Sequence, residues 1–302
     1  MTYLFRLMCI SLGSFFLLHA ILGACVALAA RAAIRLAQRV DARRAARFVL
    51  ALRLLPATGA GLLVAALCVP SYLRLEPRSA PEGIGAACLA AAALGIGIWA
   101  IAVARGWRAV RRSIRAVEGP ASPPMALAGV LKPRLVISPA VRRALSPEQL
   151  AAAVRHEEAH RASRDNLKRL LLVLAPDAIP FVNPWRALEQ HWARFTEWAA
   201  DDAASGGDAN RSLALAEALV RVARVCPSPR PAPLVALLVG SGADLEARVE
   251  RLLNPTGPAE RGRRMYLAVG GGLAALACAT VVLAFHPAVL AFVHEALERL
   301  NY

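Results

Sequence analysis

Four stretches of this chain run for about twenty residues with no Asp, Glu, Lys or Arg, the length at which a helix crosses a bilayer. They extend from Leu7 to Ala30, Leu54 to Leu73, Ile84 to Ala104 and Met265 to Phe285. A bilayer core offers no water to backbone N–H and C=O groups, so such segments are expected to be helical spans. The first could be read as a cleaved signal peptide, but it is too long and lacks a small-residue cleavage site with a polar start after it; a retained span is expected. The composition agrees: 57% of the 302 residues are hydrophobic and only 6% aromatic, an excess of Ala, Leu and Val unlike that of a soluble domain.

The formal net charge of +15 admits nucleic acid or anionic lipid as a partner. The arginines decide between them by where they fall. Arg31, Arg35, Arg39, Arg43, Arg44 and Arg47 lie between the first two spans. Arg105, Arg108, Arg111, Arg112 and Arg115 follow the third, and Arg261, Arg263 and Arg264 precede the fourth, whereas the loop between spans two and three carries only Arg74 and Arg78. Basic residues stay on the cytoplasmic side. The expected topology therefore has an external N-terminus, residues 105–264 in the cytoplasm and an external tail holding His286 and His294, with the chain in the plasma (inner) membrane. Membrane lipids are the expected partners of the charge. Direct nucleic-acid binding is not expected, since no recognition fold or interleaved aromatic pattern is present. Cys9, Cys25, Cys68, Cys88 and Cys278 sit in apolar stretches and only Cys226 in a polar one. With no C-x-x-C pair, neither a disulfide framework nor a cysteine metal site is expected.

Three units follow: residues 1–104 with three spans and a basic loop, 105–264 as a cytoplasmic domain, and 265–302 with the fourth span and a short tail. Within the domain, Met125 to Ser138 predicts two short strands turning at Lys132-Pro133. Ser146, Pro147 and Gln149 form a helix start with a capping box, and the helix runs through Leu150, Val154, His156 and His160 towards Asp165. Leu170 to Ala175 is too short to span and predicts part of a buried helix, with a re-entrant segment as the alternative. Asn183-Pro184 marks a turn. Helices are expected from Trp185 to Ala204, ended by Ser205-Gly206-Gly207, over 211–225, and from Asp244 to Leu253 after a Pro-rich break from Cys226 to Pro233.

The segment carrying chemistry is His156-Glu157-Glu158-Ala159-His160. Two histidines four residues apart on a helix face the same way, at a separation suited to two ligands of one zinc ion. Glu157 is then placed as general base towards a water that zinc acidifies, for attack on a peptide carbonyl. The bland alternative is a solvated helix face with Arg155 and Arg161 neutralising Glu157 and Glu158. A catalytic zinc needs a third protein ligand. Glu197 is the candidate, with Asp201 on the same helical face and expected to orient His156. His191 and Glu189 fit less well as ligands. His191 and Arg194 are candidates for contact with substrate or oxyanion. His19, His286 and His294 are not expected to reach the site.

The ordered motifs resemble those of the BlaR/MecR antirepressor type of membrane metallopeptidase, and more distantly those of the HtpX and CAAX-prenyl endopeptidase group. They are Gly129-Val130-Leu131-Lys132-Pro133-Arg134 leading to Ser138, Leu145-Ser146-Pro147-Glu148-Gln149-Leu150, His156 to His160 with Asp165, Asn183-Pro184-Trp185, and Glu197-Trp198-Ala199-Ala200-Asp201-Asp202. The resemblance implies a gluzincin-like site, with His156, His160 and Glu197 on zinc, Glu157 as acid/base and Asp201 behind a histidine. It also implies that the substrate is a cytoplasmic repressor. The tail to Tyr302 is too short for the penicillin-binding sensor that signalling members carry, so antibiotic sensing by this polypeptide is not expected. The expected protein is thus an α-helical membrane protein of about four spans, with an α+β gluzincin-like domain between spans three and four, acting as a zinc endopeptidase on a cytoplasmic regulatory protein. The strand region at Leu135–Ser138 is expected to hold an extended substrate by β-addition. The alternatives are a membrane quality-control protease and a non-catalytic receptor or scaffold.

Overall fold

The computed structural model describes residues 3–77, 83–118, 124–177, 185–225, 236–237, 242–254, 264 with separate positions up to 282, and 285–301. Among the described residues three helices are long and apolar enough to cross a membrane: Tyr3–Ala37, Ala42–Leu75 and Ala86–Arg115. The first is α1 (Tyr3–Ala37). The second is α2 (Ala42–Leu63), which passes through a π-turn at Val64–Cys68 into α3 (Val69–Leu75). Pro70 has no N–H to donate one turn back, and the helix widens immediately ahead of it. The third is α4 (Ala86–Glu118). Their outward faces expose Leu4, Ile21, Leu28, Leu62, Leu94 and Val103, an apolar coat suited to hydrocarbon. The fourth expected span falls largely outside the described residues, as do the Asn183-Pro184 turn and the Pro-rich break.

The expected basic loop between the first two spans is instead a pair of helix ends. Arg31 and Arg35 finish α1 and Arg43, Arg44 and Arg47 open α2, with only residues 38–41 between the helices. Asp41 caps α2, accepting from the backbone N–H of Arg44 at 2.9 Å.

The domain is mainly helical with a small antiparallel sheet. Strands β1 (Met125–Ala128) and β2 (Arg134–Ile137) pair with Ala126 opposite Val136. A third strand that the sequence did not announce, β3 (Ala236–Leu237), pairs on the other side of β1. Helices α5 (Pro139–Ala144), α6 (Pro147–Ser163), α7 (Asp165–Leu174), α8 (Arg186–Ser205), α9 (Ala209–Val225) and α10 (Gly242–Leu253) follow, and α11 (Pro287–Asn301) lies in the tail. The capping box of α6 is formed: Ser146 Oγ accepts from Gln149 N at 3.3 Å, and Gln149 Oε1 accepts from Ser146 N at 3.1 Å. Between α6 and α7, Arg164 adopts φ 55°, a left-handed turn that aims the two helices apart.

Three apolar cores stack along the molecule. One fills the domain, with Met125, Val141, Ala152, Leu215 and Leu219. A middle core joins domain to bundle: Val26, Ile34 and Val49 pack with Leu172, Trp185, Leu188, Trp192 and Phe195. The far core, with Ile10, Phe15, Tyr72 and Cys88, is capped by Leu297 of α11. The joint is also ionic. Arg53 of α2, almost fully buried, donates to Asp177 at 2.8 Å and to Glu189 at 3.0 Å, and Arg105 of α4 pairs with Asp177.

Gly95 sets the spacing of α1 against α4. A Cβ there would lie 2.8 Å from the carbonyl oxygen of Leu12, a backbone atom that cannot swing aside, whereas a Cβ at Gly97 meets nothing. Gly95→Ala is expected to destabilise the protein by about 1–3 kcal/mol and Gly97→Ala to be neutral, read from thermal melts of the detergent-purified chain. Equal melts would show that the two helices have slack.

Candidate metal site

Helix α6 places His156 and His160 one turn apart, and α8 crosses it so that Glu197 meets them. The two Nε2 atoms are 3.1 Å apart. Glu197 Oε2 is 3.6 Å from His156 Nε2, and Glu197 Oε1 is 3.6 Å from His160 Nε2. Tetrahedral zinc with bonds near 2.0–2.1 Å separates its ligands by about 3.3 Å. Each Glu197 oxygen faces one imidazole near that separation, and one donor atom from each of the three residues lies within 4.8 Å of the other two, a grouping that could hold one such ion.

Each imidazole has a carboxylate close behind it. His156 Nδ1 lies 2.9 Å from Asp201 Oδ1, as the spacing on α8 predicts. His160 Nδ1 lies 2.7 Å from Asp165 Oδ2, a role that sequence reasoning had not given to Asp165. A carboxylate at Nδ1 draws the proton to that nitrogen and leaves Nε2 free to face a metal. Asp165 is fixed in turn by Lys168 at 2.8 Å and by the Ser163 hydroxyl.

Two arginines neutralise the acids. Arg248 of α10 donates from Nε to Asp201 Oδ2 at 2.8 Å and from Nη2 to Asp201 Oδ1 at 2.7 Å, and its Nη1 is 3.2 Å from Glu197 Oε2. Arg169 of α7 reaches Glu197 Oε1 at 3.4 Å. Neither was singled out from sequence. Arg248 sits on a helix that reads only as charged and amphipathic, so its inward position has no local signature. His191 and Arg194 bond elsewhere: Nδ1 of His191 is 2.8 Å from the Ala187 carbonyl, and Arg194 pairs with Asp244 at 3.0 Å.

Glu157 is fully buried, and neither carboxylate oxygen has a hydrogen-bond partner among the described residues. It is not on a solvated face, whereas its neighbour Glu158 is exposed and lies 3.8 Å from Arg161. A buried carboxylate with two orphaned oxygens is costly unless something else meets it. Burial pushes its pKa up, with Glu197 adding to this, although both histidines oppose the shift.

The electrostatics favour positive charge at the triangle. Burial opposes a proton on His160, but Glu197 and the bond to Asp165 outweigh it and hold the imidazolium up to about 10. Burial likewise opposes charge on Asp201, and Arg248 and His156 bring it down to about 2. What stabilises an imidazolium here also stabilises a metal cation. A second donor group, Glu76, His294 and Glu298, lies at the far end of the bundle. There Arg6 already pairs with both carboxylates, so the charge is met without a metal.

A cavity of about 500 Å³ opens beside His160, between the β1–β2 turn at Val130–Arg134 and the α6–α7 junction. Asn166 holds its wall, donating to the carbonyls of Leu127 and Gly129 at 2.9 and 2.8 Å.

No protein-family model, curated protein or solved structure matches this chain.

Proposed function

We propose that the chain is a membrane-bound zinc-dependent endopeptidase. Its gluzincin-like α+β domain would lie in the cytoplasm between a third and a fourth span, and its substrate would be a regulatory protein such as a transcriptional repressor. The observation that carries this is the donor triangle of His156, His160 and Glu197 with the orphaned, buried Glu157 next to the first histidine. The basic helix ends support the sidedness.

The residues divide the work. His156, His160 and Glu197 would hold the ion and leave a fourth position open. Zinc there supplies Lewis acidity, which brings the pKa of a water towards neutrality and polarises a carbonyl. Glu157, its pKa raised by burial and its oxygens unbonded among the described residues, accepts the proton of the attacking water and later returns it to the leaving amine. Asp201 and Asp165 keep the imidazoles in register, Arg248 keeps Asp201 ionised, and His160 and His156, aided by Arg248, keep Glu197 ionised. Strand β2 borders β1 on one side only among the described residues, which leaves an edge for an extended peptide near the cavity beside His160.

Detergent-purified full-length protein is expected to carry one zinc per chain, to cleave an unstructured protein substrate such as casein, to lose activity on chelation and to regain it with zinc. His156→Ala and His160→Ala are each expected to lose the metal. Full zinc retention in both variants overturns the ligand assignment. Zinc-loaded protein that cleaves no member of a broad peptide library overturns the endopeptidase.

A further inference from the structure

Positive-inside placement explains why arginines cluster at the α1–α2 turn, but not the face that two of them share. Arg43 and Arg47 stand one turn apart on α2, where like charges repel. Arg44, by contrast, pairs with Asp41 at 3.1 Å. Among the described residues neither Arg43 nor Arg47 has a carboxylate partner. Both line a cavity of about 370 Å³ between α2, α6 and α8, on the flank of the two helices that carry the metal ligands. Lys168, Ser163 and Thr196 complete its polar lining, and alanines of all three helices make the rest of its wall.

The charge in this cavity is unbalanced. Its one acid, Asp165, is already engaged by His160, by Lys168 and by the Ser163 hydroxyl. Two guanidinium groups, exposed at the rim of this space, therefore have no anion among the described residues left to meet them, and the Lys168 ammonium beside them is met by Asp165. Guanidinium forks match the oxygens of a phosphate, and Lys adds a point charge. Arg43 and Arg47 also occupy the first two turns of the candidate span Ala42–Leu75. The mouth of the cavity thus lies where a bilayer's hydrocarbon gives way to headgroups, whose anionic members attract juxtamembrane Arg and Lys.

We propose that this cavity binds an anionic phosphate group through Arg43, Arg47 and Lys168, and that its occupant is the headgroup of an anionic phospholipid. The site does not depend on the peptidase reading, but it adjoins the metal centre. Lys168 is shared with Asp165, and Asp165 holds His160, so an occupied phosphate site and a loaded metal site are linked, each altering the affinity of the other.

The test uses delipidated full-length protein in detergent, with lipid binding followed by native mass spectrometry. The probes are short-chain phosphatidylglycerol, short-chain phosphatidylcholine and inorganic phosphate. Phosphatidylglycerol is expected to bind at least tenfold tighter than phosphatidylcholine. Arg43→Gln with Arg47→Gln is expected to remove that preference. Arg31→Gln with Arg35→Gln makes the same charge change at the end of α1 and is expected to keep it. Ala162→Phe fills the cavity without touching charge and is expected to abolish binding, with zinc content and melting temperature verifying its fold. Equal loss in both arginine pairs, or full binding to Ala162→Phe, overturns the site. Competition by millimolar phosphate that depends on Arg43 and Arg47 supports the phosphate site but overturns lipid as its source.

Discussion

Glu157→Gln is expected to leave zinc content unchanged and to lower peptide cleavage by about a hundred- to ten-thousand-fold, the usual worth of general acid–base help. The side chain is isosteric and lies outside the donor group, so the three proposed ligands stay in place. Glu157 is fully buried and its oxygens have no partner among the described residues. The substitution therefore removes a carboxyl that burial already disfavours as a charge, and the variant is expected to melt no lower than the wild type. What it loses is the basic lone pair. The measurement compares purified wild type and variant at matched zinc content, on one substrate. Equal cleavage rules out Glu157 as the base. Loss of zinc together with activity would instead show that Glu157 shapes the metal site.

Arg248→Met is expected to produce the largest loss of stability, about 3–5 kcal/mol, because it strips the cation from two buried carboxylates while keeping much of the apolar stem. Arg248 is 3% exposed, bidentate on Asp201 and close to Glu197. Without it both carboxylates face the interior with only the histidines and Arg169, among the described residues, for compensation. A metal ion in the triangle supplies positive charge to the same acids. The variant is thus expected to gain more in melting temperature from zinc than the wild type does. Thermal melts with zinc and with chelator measure this. A variant that melts like the wild type under both conditions would show that Arg248 contributes nothing to the centre. Lys at 248 restores the charge but not the fork, and is expected to fall between the two.

The motif on α6 was legible because its information is local. Ser146, Pro147 and Gln149 start the helix by capping chemistry, and the spacing of His156 and His160 puts them on one face whatever surrounds them. Glu197 and Asp201 were legible for the same reason: four residues apart on a helix, they pair with two histidines four residues apart on another. The three long helices were legible from length and absence of charge alone. Asp165 was harder. It lies five residues beyond His160, which on a continuous helix is a poor angle, and it reaches Nδ1 because the chain breaks at Arg164.

What the sequence determined by itself was therefore each helix, its face and the pair of side chains on that face, since helical geometry repeats every few residues. How those faces meet was decided by tertiary packing. The middle core seats α8 against α2, which lets α8 cross α6 at Glu197. The domain core draws α10 inward so that Arg248 covers Asp201. Contacts between residues 47 positions apart, such as Arg248 with Asp201, leave no period and no composition signal in the chain. They exist because burying the apolar sides of several helices at once leaves their polar residues one shared interior in which to pair.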